Sequence, residues 1–410
     1  MFFVSEWKEC TIADLGEVVG GATPSTKQPE NYENGIISWI TPKDLSTFKG
    51  RFITHGERNI TEIGLNSCST RILPPHTILF SSRAPIGYVA IVAKEMCTNQ
   101  GFKSVIPNAD TDFMFLYYLL KYNRGNIENM GSGTTFKEVS GNTMKSIKVY
   151  VPVDIEEQRR IGAILSAIDD KISLNTKINE NLEQQAQAIF KSWFVDFEPF
   201  GGVVPDEMQL VPLQDLCEVV TKGTTPTTLG KSFSNQGINF IKAESILNNH
   251  SLDRGRFAYI DEETNSLLKR SIIKEGDIVF TIAGTLGRFA LVDDTVLPAN
   301  TNQAVAIIRA NKTKLLPEYL YSFFLGNWHN DYYKKRVQQA VQANLSLTTI
   351  KSLPIAMLSN ETTDNYNRLI IPIIQTMKTN EYENQHLGAL RDTLLPKLMS
   401  GEIDVSEVKI

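Results

Sequence analysis

The chain repeats itself at an offset of about 200 residues, and no other feature narrows the choice of fold as far. ADLGEVVGGATPST (13–26) returns as QDLCEVVTKGTTPTT (214–228), and GIISWITPKDL (35–45) as GINFIKAESI (237–246). TILFSSRAPIGYVAIV (77–92) matches DIVFTIAGTLGRFALV (277–292), and TNQGFKSV (98–105) matches TNQAVAII (301–308). FLYYLL (115–120) pairs with YLYSFF (319–324), and MKSIKVYVP (144–152) with IKSLPIAML (350–358). Ordered matches at one offset identify two copies of one unit, and 410 residues leave room for two or three domains.

Each copy opens as short strands and turns. TILFSSR and DIVFTIAG are β-rich runs that end in glycine turns. A helix is expected after each, over DFMFLYYLLKYNRGNIENM and PEYLYSFFLGNWHNDYYKKR. The mixture predicts an α+β class, with a compact mixed α/β domain of roughly 150 residues per copy.

A different pattern follows each domain. Between Ile155 and Phe197 there is no interior proline, and Ile161, Ile168, Leu182 and Ile189 fall on one seven-residue line, with Ile164 and Ile178 beside it. Asn175 takes the first line, where a lone polar residue fixes register at some cost in stability. In the second copy Ile370, Met377 and Leu398 share one line and Ile373, Leu387 and Leu394 another, interrupted by Asn380 and Asn384. So thin a stripe suits a coiled-coil seam better than a globular core. The expectation is two homologous domains separated by two long antiparallel coiled-coil helices with pseudo-two-fold symmetry. Each rod of about forty residues would be near 60 Å long. The boundaries read as 1–153 for the first domain, 154–200 for the central helical region, 201–358 for the second domain and 359–410 for the C-terminal helical region.

Charge and composition restrict function. Net charge is −5, while segments 1–150 and 205–355 are each nearly balanced, with fifteen basic against fourteen acidic residues and sixteen against fifteen. Such a chain cannot hold phosphates by bulk charge, so a DNA-binding role would need a partner's positive surface. Cys10, Cys68, Cys97 and Cys217 are scattered with no C-x-x-C pair, which argues against zinc and disulfides and points to a cytoplasmic protein. No signal-like start or membrane-length apolar run is present. Catalytic signatures are missing as well. Leu73-Pro74-Pro75-His76 lacks the N/D-P-P-Y/F frame of amino-methyltransferases, and Gly230-Lys231-Ser232 lacks the glycine a phosphate loop needs at Thr225. MGSGTTFKE (130–138) does not complete a dinucleotide turn, the five histidines are dispersed, and EVK (407–409) sits in a terminus prone to fray. No metal site is expected.

A duplicated pair of heads on a spacer suits a ligand with its own quasi-repeat, and duplex DNA is the obvious one. Candidate DNA-binding residues in the first copy are Lys43, Ser82, Arg83, Asn99, Gln100, Thr134, Thr135 and Lys137. In the second they are Lys242, Thr285, Arg288, Asn302, Gln303 and Asn344. Arg or Lys can grip guanine O6 and N7, Asn or Gln can pair with adenine N6 and N7, and Ser, Thr and Lys suit phosphates. The plain alternative is that the Asn-Gln pairs cap turns, since both copies keep them. Positions that differ between copies, such as Lys43 against Glu244, are better placed to choose sequence.

EEQRRIGAILSAIDDKISLNTKINENLEQQAQAIFKSWFVDFEPF (156–200) and LRDTLLPKLMSGEI (390–403) closely resemble the two helical regions of type I restriction-modification specificity subunits. GATPST and GTTPTT look like the opening loops of that family's target recognition domains. The resemblance covers essentially the whole chain. It implies a subunit that is not an enzyme, whose recognition domains each read one half of a split DNA target and whose helices set the gap. It further implies two modification subunits that bind S-adenosylmethionine and methylate adenine, and restriction subunits using ATP and Mg, with no cofactor on this chain. The aromatic cluster KSWFVDFEPFGG (191–202) then has two readings: packing inward against the following head, or docking the modification subunit. Trp193, Phe194, Phe197, Leu395 and Leu398 are the candidate partner-binding residues, with Trp193 turned inward. A coiled-coil scaffold for protein ligands is the competing reading, and a single-chain nuclease or methyltransferase with unrecognised motifs is the third.

Overall fold

A computed structural model describes residues 6–132, 137–337 and 344–409. The chain divides into two compact units: Met1–Leu174 with Glu383–Ile410, and Asn175–Tyr382. Each unit is one head, the half-helix that follows it, and half of the other long helix.

In the first head the outer strands Trp7–Thr11 and Lys148–Pro152 pair antiparallel, Trp7 opposite Pro152, and so bring the two ends of the head together. A five-stranded sheet runs in the order Gly16–Gly20, Lys103–Pro107, Ile78–Phe80, Val89–Val92, Phe52–Ile53. A three-stranded sheet has Ile37–Ile40 at its centre, antiparallel to Arg58–Ile60 and parallel to Cys97–Thr98. The second head repeats the plan. Gln209–Pro212 pairs with Pro354–Met357, four strands follow the same order (Cys217–Lys222, Val305–Ala310, Asp277–Thr281, Phe289–Leu291), and Ile238–Ile241 centres the small sheet. The inner strands are apolar on both faces: Ile78, Leu79 and Phe80 are fully buried, as are Val279 and Phe280.

The helix after each sheet is shorter than its sequence suggests. Phe113–Tyr122 stops where Asn123 folds its side-chain amide back onto Leu119 O at 2.9 Å, and a separate helix Arg124–Asn129 begins. Pro317–Leu325 stops at Gly326 and Asn327, the latter with φ of 58°, before Trp328–Val337. Both breaks use residues that compete with or escape helical geometry.

The two long helices are continuous over forty residues each, Ile155–Phe194 and Asn360–Met399. Asp154 caps the first by accepting Glu156 N at 3.0 Å, and Ser359 caps the second through Thr362 N at 3.3 Å. Within the first unit Arg391 Nη1 meets Asp169 Oδ1 at 2.8 Å and Lys171 lies 3.2 Å from Glu383. Within the second, Asn179 Nδ2 donates to Met377 O at 2.9 Å, and Asn380 Nδ2 to Asn179 Oδ1 at 2.8 Å. Residue numbers that rise along one helix fall along the other, so the pair is antiparallel. One seam line differs from the expected one. Ile178 is exposed and Ile164 only half-buried, while Leu165 and Ala186 are buried, which places Leu165, Ile172, Asn179 and Ala186 on the inward line. That line carries an asparagine and an alanine in its second half, so hydrophobicity favoured its neighbour. Asn175 is fully buried, as its line predicts.

Each core takes something from both helices. Ile161 and Leu165 from one helix start, with Leu398 and Met399 from the other helix end, complete the first. Tyr366, Ile370 and Ile374, with Ala186, Phe190 and Phe194, complete the second. Buried polar groups secure these joints. Asp169 accepts from Tyr118 at 2.7 Å and from Arg391, while Arg51 reaches the Ser166 carbonyl and the carboxylate of Asp170. Burial works against the Asp169 charge, yet the bonds from Arg391 and Tyr118 hold its carboxyl below the ordinary carboxylate value. In the second unit Lys378 bridges Glu381 at 2.7 Å and Asp293 at 3.2 Å, and Glu381 accepts Leu252 N at 3.3 Å.

Candidate nucleic-acid interface

Most of the described candidate residues sit on loops and turns at the strand ends of each head, and matching loops are tied together in both heads. The opening loop lies directly on the Thr-Asn-Gln turn. A β-carbon at Gly21 would stand 2.1 Å from Thr98 O, and one at Gly223 1.9 Å from Thr301 O, so both positions exclude a side chain. Ala22 N donates to Thr98 O at 3.1 Å, and Trp39 Nε1 holds Ala22 O at 3.0 Å. Thr23 Oγ1 then donates to Gln100 Oε1, and Thr225 Oγ1 to Gln303 Oε1. Asn99 Oδ1 accepts Gly101 N at 2.9 Å, and Asn302 Oδ1 accepts Ala304 N at 3.1 Å. The asparagines therefore shape the turn, while both glutamines stand exposed at its tip.

The hairpin loops close on a hydroxyl. Ser81 Oγ donates to Pro85 O at 2.9 Å and accepts Tyr88 N at 2.8 Å. Thr281 Oγ1 donates to Thr285 O at 2.5 Å and accepts Arg288 N at 2.9 Å. Ser82 is fully buried, its hydroxyl donated to Gly101 O at 3.2 Å, so it ties the hairpin to the Thr-Asn-Gln turn and offers nothing to a surface ligand. Arg83 is exposed, with Nε 3.0 Å from Glu138 Oε2, and this pair brings the exposed Lys137 beside the same loop. Arg288 stands where the first copy has Tyr88, not Arg83; it is half-buried, with Nη1 3.2 Å from Ile246 O. Thr285 and Asn344 are exposed, and Leu345 N bonds Ile282 O at 2.9 Å, which places Asn344 by that hairpin. Thr134 and Thr135 lie outside the described residues.

Lys43 and Glu244 occupy matching positions on the short helical turns after the central strands. Lys43 is exposed and paired with Glu57 at 2.8 Å, which pushes its ammonium above the ordinary value. Lys242 lies over the Phe233 ring at 5.0 Å and 3.6 Å from Glu244. Cations on both faces are thus held by neighbouring carboxylates. Exposed pairs of this kind contribute little, so an incoming phosphate could replace the carboxylate at small cost. Arg270, exposed and 3.5 Å from Thr224 Oγ1 on the opening loop, is a candidate the sequence reading passed over. Thr70 stands in its place in the first copy, so the repeat did not flag it.

The candidate docking residues are mostly interior. Phe194 is 1% exposed among Phe190, Tyr319, Phe323 and Tyr366. Trp193 is half-buried, edge-on to Tyr366 at 5.4 Å and Phe200 at 5.8 Å. Leu398 is buried and Leu395 packs on the same core, while Phe197 is half-buried with φ of 56° where the helix ends. Among the described residues no group of three or more His, Cys, Asp or Glu is arranged to hold a metal ion, and no helix is long and apolar enough to cross a membrane.

Two homologous heads with matching latched loops, each built into a pair of long helices, define a duplicated binding protein. Residues 4–184 and 205–385 both match the type I restriction modification DNA specificity domain, and the chain belongs to this family as the non-catalytic DNA specificity subunit of a type I restriction-modification system. It is 32% identical to the type I restriction enzyme MjaIX specificity subunit of Methanocaldococcus jannaschii, over 98% of this chain and 95% of that one. It is 24% identical to the HindI specificity subunit of Haemophilus influenzae, over 98% and 100%. A crystal structure of the type-I restriction-modification system S subunit from M. genitalium shares the fold, with a TM-score of 0.61 over 97% of both chains at 16% identity.

Proposed function

We propose that each head reads one half of a split DNA target and that the paired helices fix the unspecific gap between the halves. The observation that carries this reading is the repeated loop set with unlike side chains on it. Lys43 answers to Glu244 and Tyr88 to Arg288, and the exposed Arg270 stands in place of the buried Thr70, so two heads of one design face a ligand with different chemistry. Arg83, Lys137, Lys242, Thr285, Arg288 and Asn344 border these loops and supply donors for base edges or phosphates. Two modification subunits carrying S-adenosylmethionine would assemble on this chain in the cytoplasm, and restriction subunits using ATP and Mg would join them. Those partners then contribute the positive surface that a chain of net charge −5 lacks.

The test is to co-express the chain with its modification subunit in a host free of other adenine methylation and to sequence the methylated bases. The expected result is one motif in two halves separated by a fixed number of unspecified bases. A continuous motif, or no methylation dependent on this chain, would refute the reading.

A further inference from the structure

We propose that the Thr23–Gln100 and Thr225–Gln303 pairs form one phosphodiester contact in each head, which sets the register of the head on DNA and is blind to sequence. The inference rests on the reading that these loops face DNA, and it assigns a ligand group within that site.

A glutamine that reads adenine presents both ends of its amide, one to N6 and one to N7. Here each amide is already engaged at its oxygen by a threonine hydroxyl. What remains is an NH2 at the exposed tip of the turn, a donor that bonds no other group among the described residues, and a phosphate oxygen is the DNA group that matches a lone donor. Gly21 and Gly223 allow the two backbones to touch, and Asn99 and Asn302 close the turns that lift the glutamines outward. The arrangement is the same in both heads although the flanking residues differ. A contact common to both heads cannot distinguish the half reached by one from the half reached by the other. Choice of sequence is then left to the positions that differ.

The experiment uses the chain assembled with its modification subunits. It measures affinity for two duplexes of equal length, one bearing the split site defined by methylation sequencing and one without it. Gln100→Ala and Gln303→Ala are expected to weaken binding to both duplexes by the same factor, roughly three- to tenfold each. The methylated motif should stay unchanged. Gln100→Glu places a negative charge against the phosphate and is expected to weaken both more than alanine does. A new base preference in either half, a loss confined to the site-bearing duplex, or no loss on either would overturn the proposal. If the wild-type assembly yields no split motif, the parent reading has failed. If it does and Gln100→Ala rewrites a half-site, only the phosphate assignment has.

Discussion

Phe194→Ala separates the two roles open to the aromatic cluster at 191–202. Phe194 is 1% exposed, with ring centroids of Phe323 and Tyr366 each 4.9 Å away, Phe190 at 5.1 Å and Tyr319 at 6.1 Å. Removing a ring so enclosed forfeits its burial and leaves a cavity among large side chains that cannot collapse onto it, a loss of about 3–5 kcal/mol. Aromatic pairs on several sides argue for the upper part of that range. The unit it stabilises spans about 200 residues, Asn175–Tyr382. For a domain of that size the loss lowers its melting point by on the order of 10 °C. Calorimetry of the purified chain should show one transition moved down by that amount. Hydrogen exchange should show faster opening of peptides from Pro317–Leu325, with Phe113–Tyr122 unaffected. An unchanged transition together with failure to bind the modification subunit would refute the argument and make Phe194 a docking residue.

Two further outcomes follow from buried ionisable groups. Arg309→Met removes the partner of the fully buried Asp277, which it holds through Nε and Nη2 at 2.7 Å each, and should cost about 3–5 kcal/mol near neutral pH. Burial already raises the Asp277 carboxyl above its ordinary value despite Arg309, so the folded variant takes up a proton before the unfolded chain does. Its deficit should therefore shrink as pH falls in urea titrations, and a deficit independent of pH would contradict this. His329, buried against Phe280, Phe324 and Tyr333, is lowered to about 4, by burial first and by neighbouring His250 second. Between pH 6.5 and about 4 the unfolded chain binds this proton and the folded chain does not. Stability should thus fall with pH by up to about 3 kcal/mol, a slope that His329→Leu abolishes and whose persistence in that variant would refute the assignment.

Much of the fold was legible because it is stated twice. Repeated motifs located the strands of both heads, and the seven-residue spacing located both long helices, including the buried Asn175. The second seam line was not legible, because Asn179 is polar and its partner Asn380 lies 201 residues away; only the pairing gives that asparagine an inward role. The candidate site was legible as loops and less so as side chains. Ser82 has the chemistry of a phosphate ligand, but a backbone carbonyl 19 residues further on claims its hydroxyl. Arg83 and Arg288 look alike in sequence and occupy different places on their hairpins. Arg270 escaped notice because its neighbour on the opening loop, Thr224, is 46 residues away.

The helix ends change what counts as a module. Phe190, Phe194 and Trp193 close the helix that follows the first head, yet they are core and rim of the second unit. Leu398 and Met399 end the helix after the second head and belong to the core of the first. A cut at either helix end would therefore separate each head from side chains that complete its own core. The contact boundary falls within the helices, at Leu174–Asn175 and Tyr382–Glu383. Beside it the helix pair is held by Asn179 and Asn380, one turn from the buried Asn175, rather than by a continuous apolar stripe. An apolar seam tolerates sliding by a heptad, whereas the half-buried Asn179–Asn380 pair is satisfied in one register alone. Apolar contact is thus concentrated at the ends, where it stabilises heads, and polar contact at the middle, where it fixes alignment. Within the second unit, slippage there would part the half-buried amides of Asn179 and Asn380 from each other and from the Met377 carbonyl.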